Sequence, residues 1–271
     1  MSIENQKNKT VWEKVVIARD VHRPKATDYI PLLFENFIEF HGDRCFKDDR
    51  ALIGGVAYFN SIPITILAQN KGKTLEENLV CNFGMMHPEG YKKAMRLAKQ
   101  AEKFNRPIIT LIDTPGAYPG KGAEERGQAS AIAQCLALFS TLTVPVIAIV
   151  LSEGGSGGAL ALSVANKVIM LENAVYSILS PEGFASILYK DETKAKEAAE
   201  IMKMTAADLY DVGFVDSIIK EPKNGAQENI VQVVNALIEQ VSLDLQECLK
   251  MKDEALVRSR NEKFRNIGVI D

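Results

Sequence analysis

With 271 residues, 46% of them hydrophobic, the chain can bury about 75% of the surface its unfolded form would expose, enough for a full core. A formal charge of −3 gives no global pull toward nucleic acid or anionic membranes. No apolar run reaches the roughly 18 residues of a membrane span, and the polar start MSIENQKNKT does not read as a signal peptide, so a cytoplasmic location is expected.

Val11 to Asp20 reads as a short helix. Thr27-Asp28 can cap a second, whose apolar positions Ile30, Leu33, Phe34, Phe37 and Ile38 fall at helical spacing. After His41-Gly42-Asp43 the period changes, and Leu52 to Phe59 and Ile62 to Gln69, separated by Asn60-Ser61, predict a β-hairpin. Pro88-Glu89-Gly90 opens a helix to about Phe104, which Pro107 stops. Pro107 to Asp113 then reads as a buried strand running into Thr114-Pro115-Gly116-Ala117-Tyr118-Pro119-Gly120, followed by a helix of small residues from Ala123 to Phe139. The pattern recurs: Val144 to Leu151 reads as a strand, Ser152-Glu153-Gly154-Gly155-Ser156-Gly157-Gly158 as a turn, and about Gly157 to Val164 as a helix.

Strands near Lys167 to Leu171 and Val175 to Leu179 precede Ser180-Pro181-Glu182-Gly183, beyond which the chain reads as mostly helical apart from Phe214 to Ile219. Alternating strands and helices indicate an α/β fold. One domain is expected over 1–271, with a helical segment to about residue 42, a core over 44–220 and a helical segment over 221–271. Lys250, Lys252, Arg258, Arg260, Lys263 and Arg265 make the tail basic, and it reads as a solvated helix. Cys45, Cys81, Cys135 and Cys248 contain no Cys-x-x-Cys pair, so no disulfide framework or metal site is expected, and Cys135 reads as core.

The two glycine turns carry the chemistry. Glycine lets main-chain N–H groups face a ligand with no Cβ in the way, and a helix N-terminus adds unpaired donors and partial positive charge. Such turns bind anions or stabilise oxyanions. A phosphate loop fails on spacing: within Gly116 to Gly122 the glycine before Lys121 comes one residue early and no hydroxyl follows Lys121, and Leu67 stands where Gly72-Lys73-Thr74 would need its first glycine. A dinucleotide fingerprint starting at Gly155 fails at Leu160. Gly154-Gly155-Ser156-Gly157-Gly158 satisfies the nucleophile elbow Gly-x-Ser-x-Gly, yet His22, His41 and His87 all precede Ser156, the reverse of that fold's order. Ser156 therefore reads as a small turn residue. His87 reads as packing before a helix, Glu124 and Glu125 as first-turn carboxylates, and Asp113 as a turn-fixing carboxylate. What remains is a site of main-chain donors with few acid/base side chains, suited to acyl-thioester or carboxylation chemistry.

The strings Ile112 to Gly120, Ala123-Glu124-Glu125-Arg126-Gly127-Gln128, Glu153 to Ala161 and Ser180-Pro181-Glu182-Gly183, with Asn82-Phe83-Gly84-Met85 and Pro88-Glu89-Gly90-Tyr91, closely resemble the carboxyltransferase alpha subunits of bacterial-type acetyl-coenzyme A carboxylase. The match is collinear from about His22 to Ile219, and the N-terminal extension is short relative to the longer members. The resemblance implies a crotonase-like fold, an α/β spiral of ββα units with helical segments at both ends. It also implies a site shared with a beta subunit of the same fold, bearing a zinc ribbon, in an α2β2 assembly, with no metal on this chain. In the implied reaction, carboxybiotin on a biotin carboxyl carrier protein, charged by biotin carboxylase, gives its carboxyl group to acetyl-coenzyme A. Malonyl-coenzyme A for fatty acid biosynthesis results. By the same resemblance, Gly157 and Gly158 would donate main-chain N–H groups to the ureido oxygen of biotin, and Gly154, Gly155, Gly116, Ala117 and Gly120 would line the biotin and acyl-coenzyme A cleft. The alternatives are a self-contained crotonase-type hydratase or isomerase, with Glu153 the nearby carboxylate, and a noncatalytic acyl-coenzyme A binding subunit.

Overall fold

A computed structural model describes residues 9–269. The first eight residues of the polar start, to which the signal-peptide reading mainly applies, lie outside the described residues.

Helix α1 (Val11–Ala18) opens on a capping box, in which the Thr10 hydroxyl accepts the Glu13 amide and the Glu13 carboxylate accepts the Thr10 N–H. The second helix, α2 (Ala26–Leu33), is shorter than the apolar spacing predicts. Pro31 lies inside it, and Phe34 is already extended at φ −130° and ψ 145°. Residues 35–39 form strand β1 (Glu35–Glu39), which pairs antiparallel with the next strand, so the segment read as helical as far as residue 42 contains a strand. The open hydrogen-bonding edge of the hairpin captures this stretch, and Ile38, expected on a buried helical stripe, is 59% exposed.

The hairpin β2 (Leu52–Phe59) and β3 (Ile62–Gln69) forms as expected. Asn60 and Ser61 both take positive φ, 47° and 65°, the two left-handed residues that a tight hairpin turn uses. After α3 (Leu75–Val80), helix α4 (Pro88–Lys103) starts with proline in its first turn and crosses back to β4 (Ile108–Thr114), which lies parallel to β3.

The helix expected from Ala123 to Phe139 is broken in two. Gly127 takes left-handed φ 81° and ψ 49°, separating α5 (Lys121–Glu125) from α6 (Gln128–Thr141). Arg126 draws the break toward α4, donating to Glu89 at 2.7 Å and to the Gly122 carbonyl. Glu124 keeps its first-turn position in α5, whereas Glu125 ends that helix and pairs with Lys121.

Strand β5 (Val146–Gly155) runs four residues past Leu151, into the expected turn. Helix α7 (Ser156–Ser163), strands β6 (Lys167–Leu171) and β7 (Val175–Ser177), helices α8 (Pro181–Leu188), α9 (Ala195–Ile201) and α10 (Ala206–Asp211), strand β8 (Ser217–Ile219) and helices α11 (Ile230–Leu249) and α12 (Asp253–Asn266) complete the chain. Among the described residues the strands make one sheet of order β1-β2-β3-β4-β5-β6-β8, with β7 pairing the far end of β5. From β3 onward the pairing is parallel. Successive residues of β4 point to opposite faces and all seven are buried, so the sheet is covered on both sides, as parallel sheets require. Helix α7 packs on β4 and β5 with α6 against it, and α11 packs on β5, β8 and α2. Cys135 is fully buried in this core.

The basic tail is not a freely solvated helix. Arg260 on α12 is fully buried and donates to the carbonyls of Phe139, Leu142 and Val144 and to Asn166 Oδ1. Lys263 pairs with Asp216. The remaining basic residues stay on the surface because these two fix which face of the helix turns inward. Among the described residues no helix is long and apolar enough to cross a membrane.

Replacing Arg260 by Met keeps most of the volume but strands several buried acceptors. The expected loss is about 3 kcal/mol, or roughly 6 to 12 °C in Tm, measured by thermal denaturation of the full chain. An unchanged Tm would show that the tail contributes nothing through this contact.

Candidate active site

The site lies at the C-terminal edge of the parallel strands, where open α/β sheets place their ligands. Strands β4 and β5 are neighbours, with Thr114 opposite Gly154, so the two turns that follow them emerge side by side. They touch. A Cβ on Gly155 would stand 2.0 Å from the Pro115 carbonyl oxygen, and one on Gly158 would stand 2.5 Å from both Ala117 N and Gly116 C. Only glycine allows this approach.

The second turn is tighter than its five-residue glycine run suggests. Gly154 and Gly155 remain in β5, paired with Tyr176 and Ser177 of β7, and the reversal falls on Ser156 alone at φ 51°. Ser156 is exposed, and neither His41, which pairs with Asp48, nor His87, which contacts Asn82, is disposed as its base. The first amides of α7, those of Ser156, Gly157 and Gly158, have no carbonyl one turn earlier in the helix to bond, and they carry the positive end of its dipole.

Of the residues expected to form the cleft, Gly116, Ala117, Gly155, Gly157 and Gly158 are brought together, and two of them leave open space. A Cβ on Gly116 would meet nothing within 4 Å, and one on Gly157 would meet only Ile132 Cγ2 at 3.4 Å. Gly154 and Gly120 serve differently. Their missing side chains make room for the rings of Tyr176 and Tyr118, at 2.0 and 2.2 Å from the Cβ positions.

Side chains at the strand ends hold this backbone. Gln69, at the end of β3 and fully buried, donates to the Gly158 carbonyl at 2.8 Å and accepts the Asp113 N–H at 3.2 Å, linking both units. The Thr114 hydroxyl donates to the Gly116 carbonyl and accepts the Gly116 N–H. Asp113 acts as the expected turn-fixing carboxylate: it is fully buried, accepts the Glu153 N–H at 3.4 Å and pairs with Lys71 at 2.8 Å. Lys71 also pairs with Glu153 at 2.7 Å, and Glu153 receives Arg19, the C-cap of α1, at 2.9 Å. Burial opposes charge on Lys71, but Asp113 and Glu153 outweigh it and hold the pKa above its ordinary value. Glu153 is likewise opposed by burial and held ionised by Lys71 and Arg19. Its carboxylate is committed to these cations, which removes the general base that a self-contained hydratase would need.

His87 is the N-cap of α4. Its ring stacks on Tyr118 of the first glycine turn at 4.2 Å, and its main-chain N–H donates to Asp49 Oδ2. Burial and nearby Lys47 lower its pKa, so the ring is neutral at pH 7 and supports the turn. Burial pushes the Asp49 carboxyl up to about 6 against the amides of Ala51 and His87. Gln69, Lys71 and Arg19 escaped the sequence reading. A lone glutamine ending an apolar strand was the available signal for Gln69, whereas the pairing of Lys71 and Arg19 depends on tertiary contacts. Among the described residues no group of His, Cys, Asp or Glu is placed to hold a metal ion.

Residues 2–268 match a family model described as acetyl co-enzyme A carboxylase carboxyltransferase-like. The chain is 54% identical over 266 residues to the acetyl-coenzyme A carboxylase carboxyl transferase subunit alpha of Clostridium acetobutylicum, covering 98% of this chain and 97% of that one. It belongs to this family of carboxyltransferase alpha subunits. Against the alpha subunit of Staphylococcus haemolyticus it is 54% identical over 257 residues, covering 95% and 82% of the two chains. Among solved structures it resembles transcarboxylase 12S, with a TM-score of 0.70 at 18% identity, over 93% of this chain and 47% of that one. A Pseudomonas malonate decarboxylase hetero-dimer gives 0.59 at 16% identity, over 78% and 83%. The alpha-subunit family and the crotonase-like α/β fold are thus both as the sequence strings implied.

Gly158→Ala should force the turns apart and lower stability by about 1 to 3 kcal/mol, whereas Gly157→Ala, pointing into open space, should change it by less than about 1 kcal/mol. Thermal denaturation of the two variants measures the contrast, and equal Tm values would contradict the contact between the turns.

Proposed function

We propose that this chain supplies the carboxybiotin half of an acetyl-coenzyme A carboxyltransferase, which forms malonyl-coenzyme A as the first committed step of fatty acid biosynthesis. The observation that carries the reading is the space over Gly157 and Gly116, where an added Cβ would meet nothing closer than 3.4 Å, at the N-terminus of a helix beside a second, interlocked turn. A flat ureido group fits such a face, because a Cβ at either position would occupy its approach.

When bound, carboxybiotin supplies the carboxyl group and then the base that takes the α-proton of the acyl thioester. Gly157 and Gly158 would donate their N–H groups to the ureido oxygen and stabilise negative charge on it. Their direction is held by the Gly155 and Gly158 contacts with residues 115–117 and by Gln69 on the Gly158 carbonyl, so little reorganisation accompanies the charge. Ile132 beside Gly157 offers an apolar wall, and Ala117 continues it. Of the side chains near the turns, His87 is stacked on Tyr118 and held by Asn82 and Glu153 is tied into ion pairs, which supports leaving proton transfer to the cofactor.

The second half of the site belongs to a beta subunit, which would hold acetyl-coenzyme A and its enolate and carry the family's zinc ribbon, in an α2β2 assembly served by biotin carboxylase and its carrier protein in the cytoplasm. Gly154 and Gly120 would contribute to the cleft through the rings they seat, Tyr176 and Tyr118.

The chain alone should transfer no carboxyl group, and adding a zinc-ribbon beta subunit should produce malonyl-coenzyme A in a coupled assay; robust transfer by this chain alone rejects the shared site. Within that assembly, Gly157→Val should place methyl groups over the donors and lower transfer by about 10² while Tm and assembly persist. Wild-type turnover in that variant rejects the donor role. Proline at 158 is the less informative change, since its ring would overlap Ala117 N.

A further inference from the structure

We infer that Lys71 is a positioning residue for this reaction: its ammonium group holds Asp113 and Glu153 together beneath the two glycine turns and so sets the spacing between them. The inference rests on the carboxybiotin reading above.

Asp113 lies three residues before Gly116 and Glu153 three residues before Ser156, so each carboxylate sits at the root of one turn. Both are shielded, with side-chain exposures of 0% and 15%. Two like charges in such surroundings repel strongly, and their separation would open the strand ends that carry the turns. Lys71 Nζ stands 2.8 Å from Asp113 and 2.7 Å from Glu153, itself only 12% exposed. Glu153 has a second cation in Arg19, which also reaches Glu182 of α8 at 2.7 Å. Asp113 has no second ion pair among the described residues, and its Oδ2 is buried without a hydrogen-bond partner. Removing Lys71 therefore leaves Asp113 without an ion-pair partner, holding only the Glu153 N–H, and sets its charge against that of Glu153.

The backbone around Lys71 points the same way. Asn82, Phe83 and Gly84 take left-handed φ of 48°, 55° and 79° in succession, an arrangement that non-glycine residues hold only under surrounding constraint. A Cβ on Gly84 would stand 2.8 Å from the Asp113 carbonyl oxygen and 2.9 Å from Lys71 Cγ, so this strained loop packs over the lysine and the root of the first turn. The ends of β4 and β5 thus meet at one ammonium group carried just past β3, with the 82–84 loop against the lysine stem.

The test uses the assembled complex of this chain with its beta subunit, with carboxylated carrier protein and acetyl-coenzyme A varied separately. Lys71→Met should lower kcat over KM for the carrier by about 10- to 100-fold, as misplacement of reacting groups does, while KM for acetyl-coenzyme A stays at its wild-type value. Adding Asp113→Asn to Lys71→Met removes one of the opposed charges and should recover a large part of that loss. Wild-type kinetics in Lys71→Met, equal changes in both KM values, or a double variant no better than the single one overturns the assignment. If Lys71→Met does not assemble, Lys71→Gln decides: it keeps a polar head but puts no charge between the carboxylates, so a fall confined to the carrier side supports the role, and unchanged kinetics overturn it. A wild-type complex that fails to use the carrier rejects the functional reading itself, whereas a competent wild type with indifferent Lys71 variants rejects this inference alone.

Discussion

Gly155 and Gly158 press the main chain of one strand-to-helix turn against the main chain of another, leaving no room for a side chain at either glycine. That contact governs the surrounding architecture. It requires β4 and β5 to be adjacent and parallel, and it requires β5 to run on to Gly155 before α7 begins. Helix α7 must then start on a left-handed Ser156, because a longer turn would lift its first amides off the 115–117 backbone. The pairing of Glu153, Gly154 and Gly155 with β7 extends the strand and keeps that geometry.

A site built from main chain places its demands on the residues below it. Gln69 spans both units from the end of the neighbouring strand, and Thr114 closes the root of the first turn on itself. Charged groups are gathered one layer down, where Lys71 and Arg19 balance Asp113 and Glu153 away from the open face. The result is a surface with a helix N-terminus and apolar neighbours, beside which Asp113 and Glu153 are held in ion pairs. Such a surface stabilises charge but does not move protons, which suits a subunit whose reaction is completed by a cofactor and a second chain.

Much of this was legible in the residues before any coordinates. The Asn60-Ser61 hairpin, the proline-opened α4 and both buried strands are local signals, and the glycine strings marked the turns directly. Misreadings arose where a tertiary partner competed with a local pattern. Phe34, Phe37 and Ile38 satisfy a helical period, yet the free edge of β2 and a proline upstream turn 35–39 into a strand. Ala123 to Phe139 is helical in propensity throughout, but Gly127 gives way where Arg126 is drawn to Glu89. Arg260 looked like one of several surface cations, because nothing local distinguishes a guanidinium that will be buried under four acceptors from one that stays in water. Gln69 and Lys71 were hidden for the same reason, their partners lying more than forty positions along the chain.

Arg260 also imposes an order on how the molecule is completed. The oxygens it caps belong to Phe139, Leu142, Val144 and Asn166, and the nearest of these in sequence precedes it by 94 residues. During vectorial synthesis these acceptors emerge long before their donor does. The end of α6 and the approaches to β5 and β6 therefore wait unpaired with Arg260 while more than a third of the polypeptide is still to be made. The edge of the sheet opposite the glycine turns is sealed last, by a residue close to the end of the described chain.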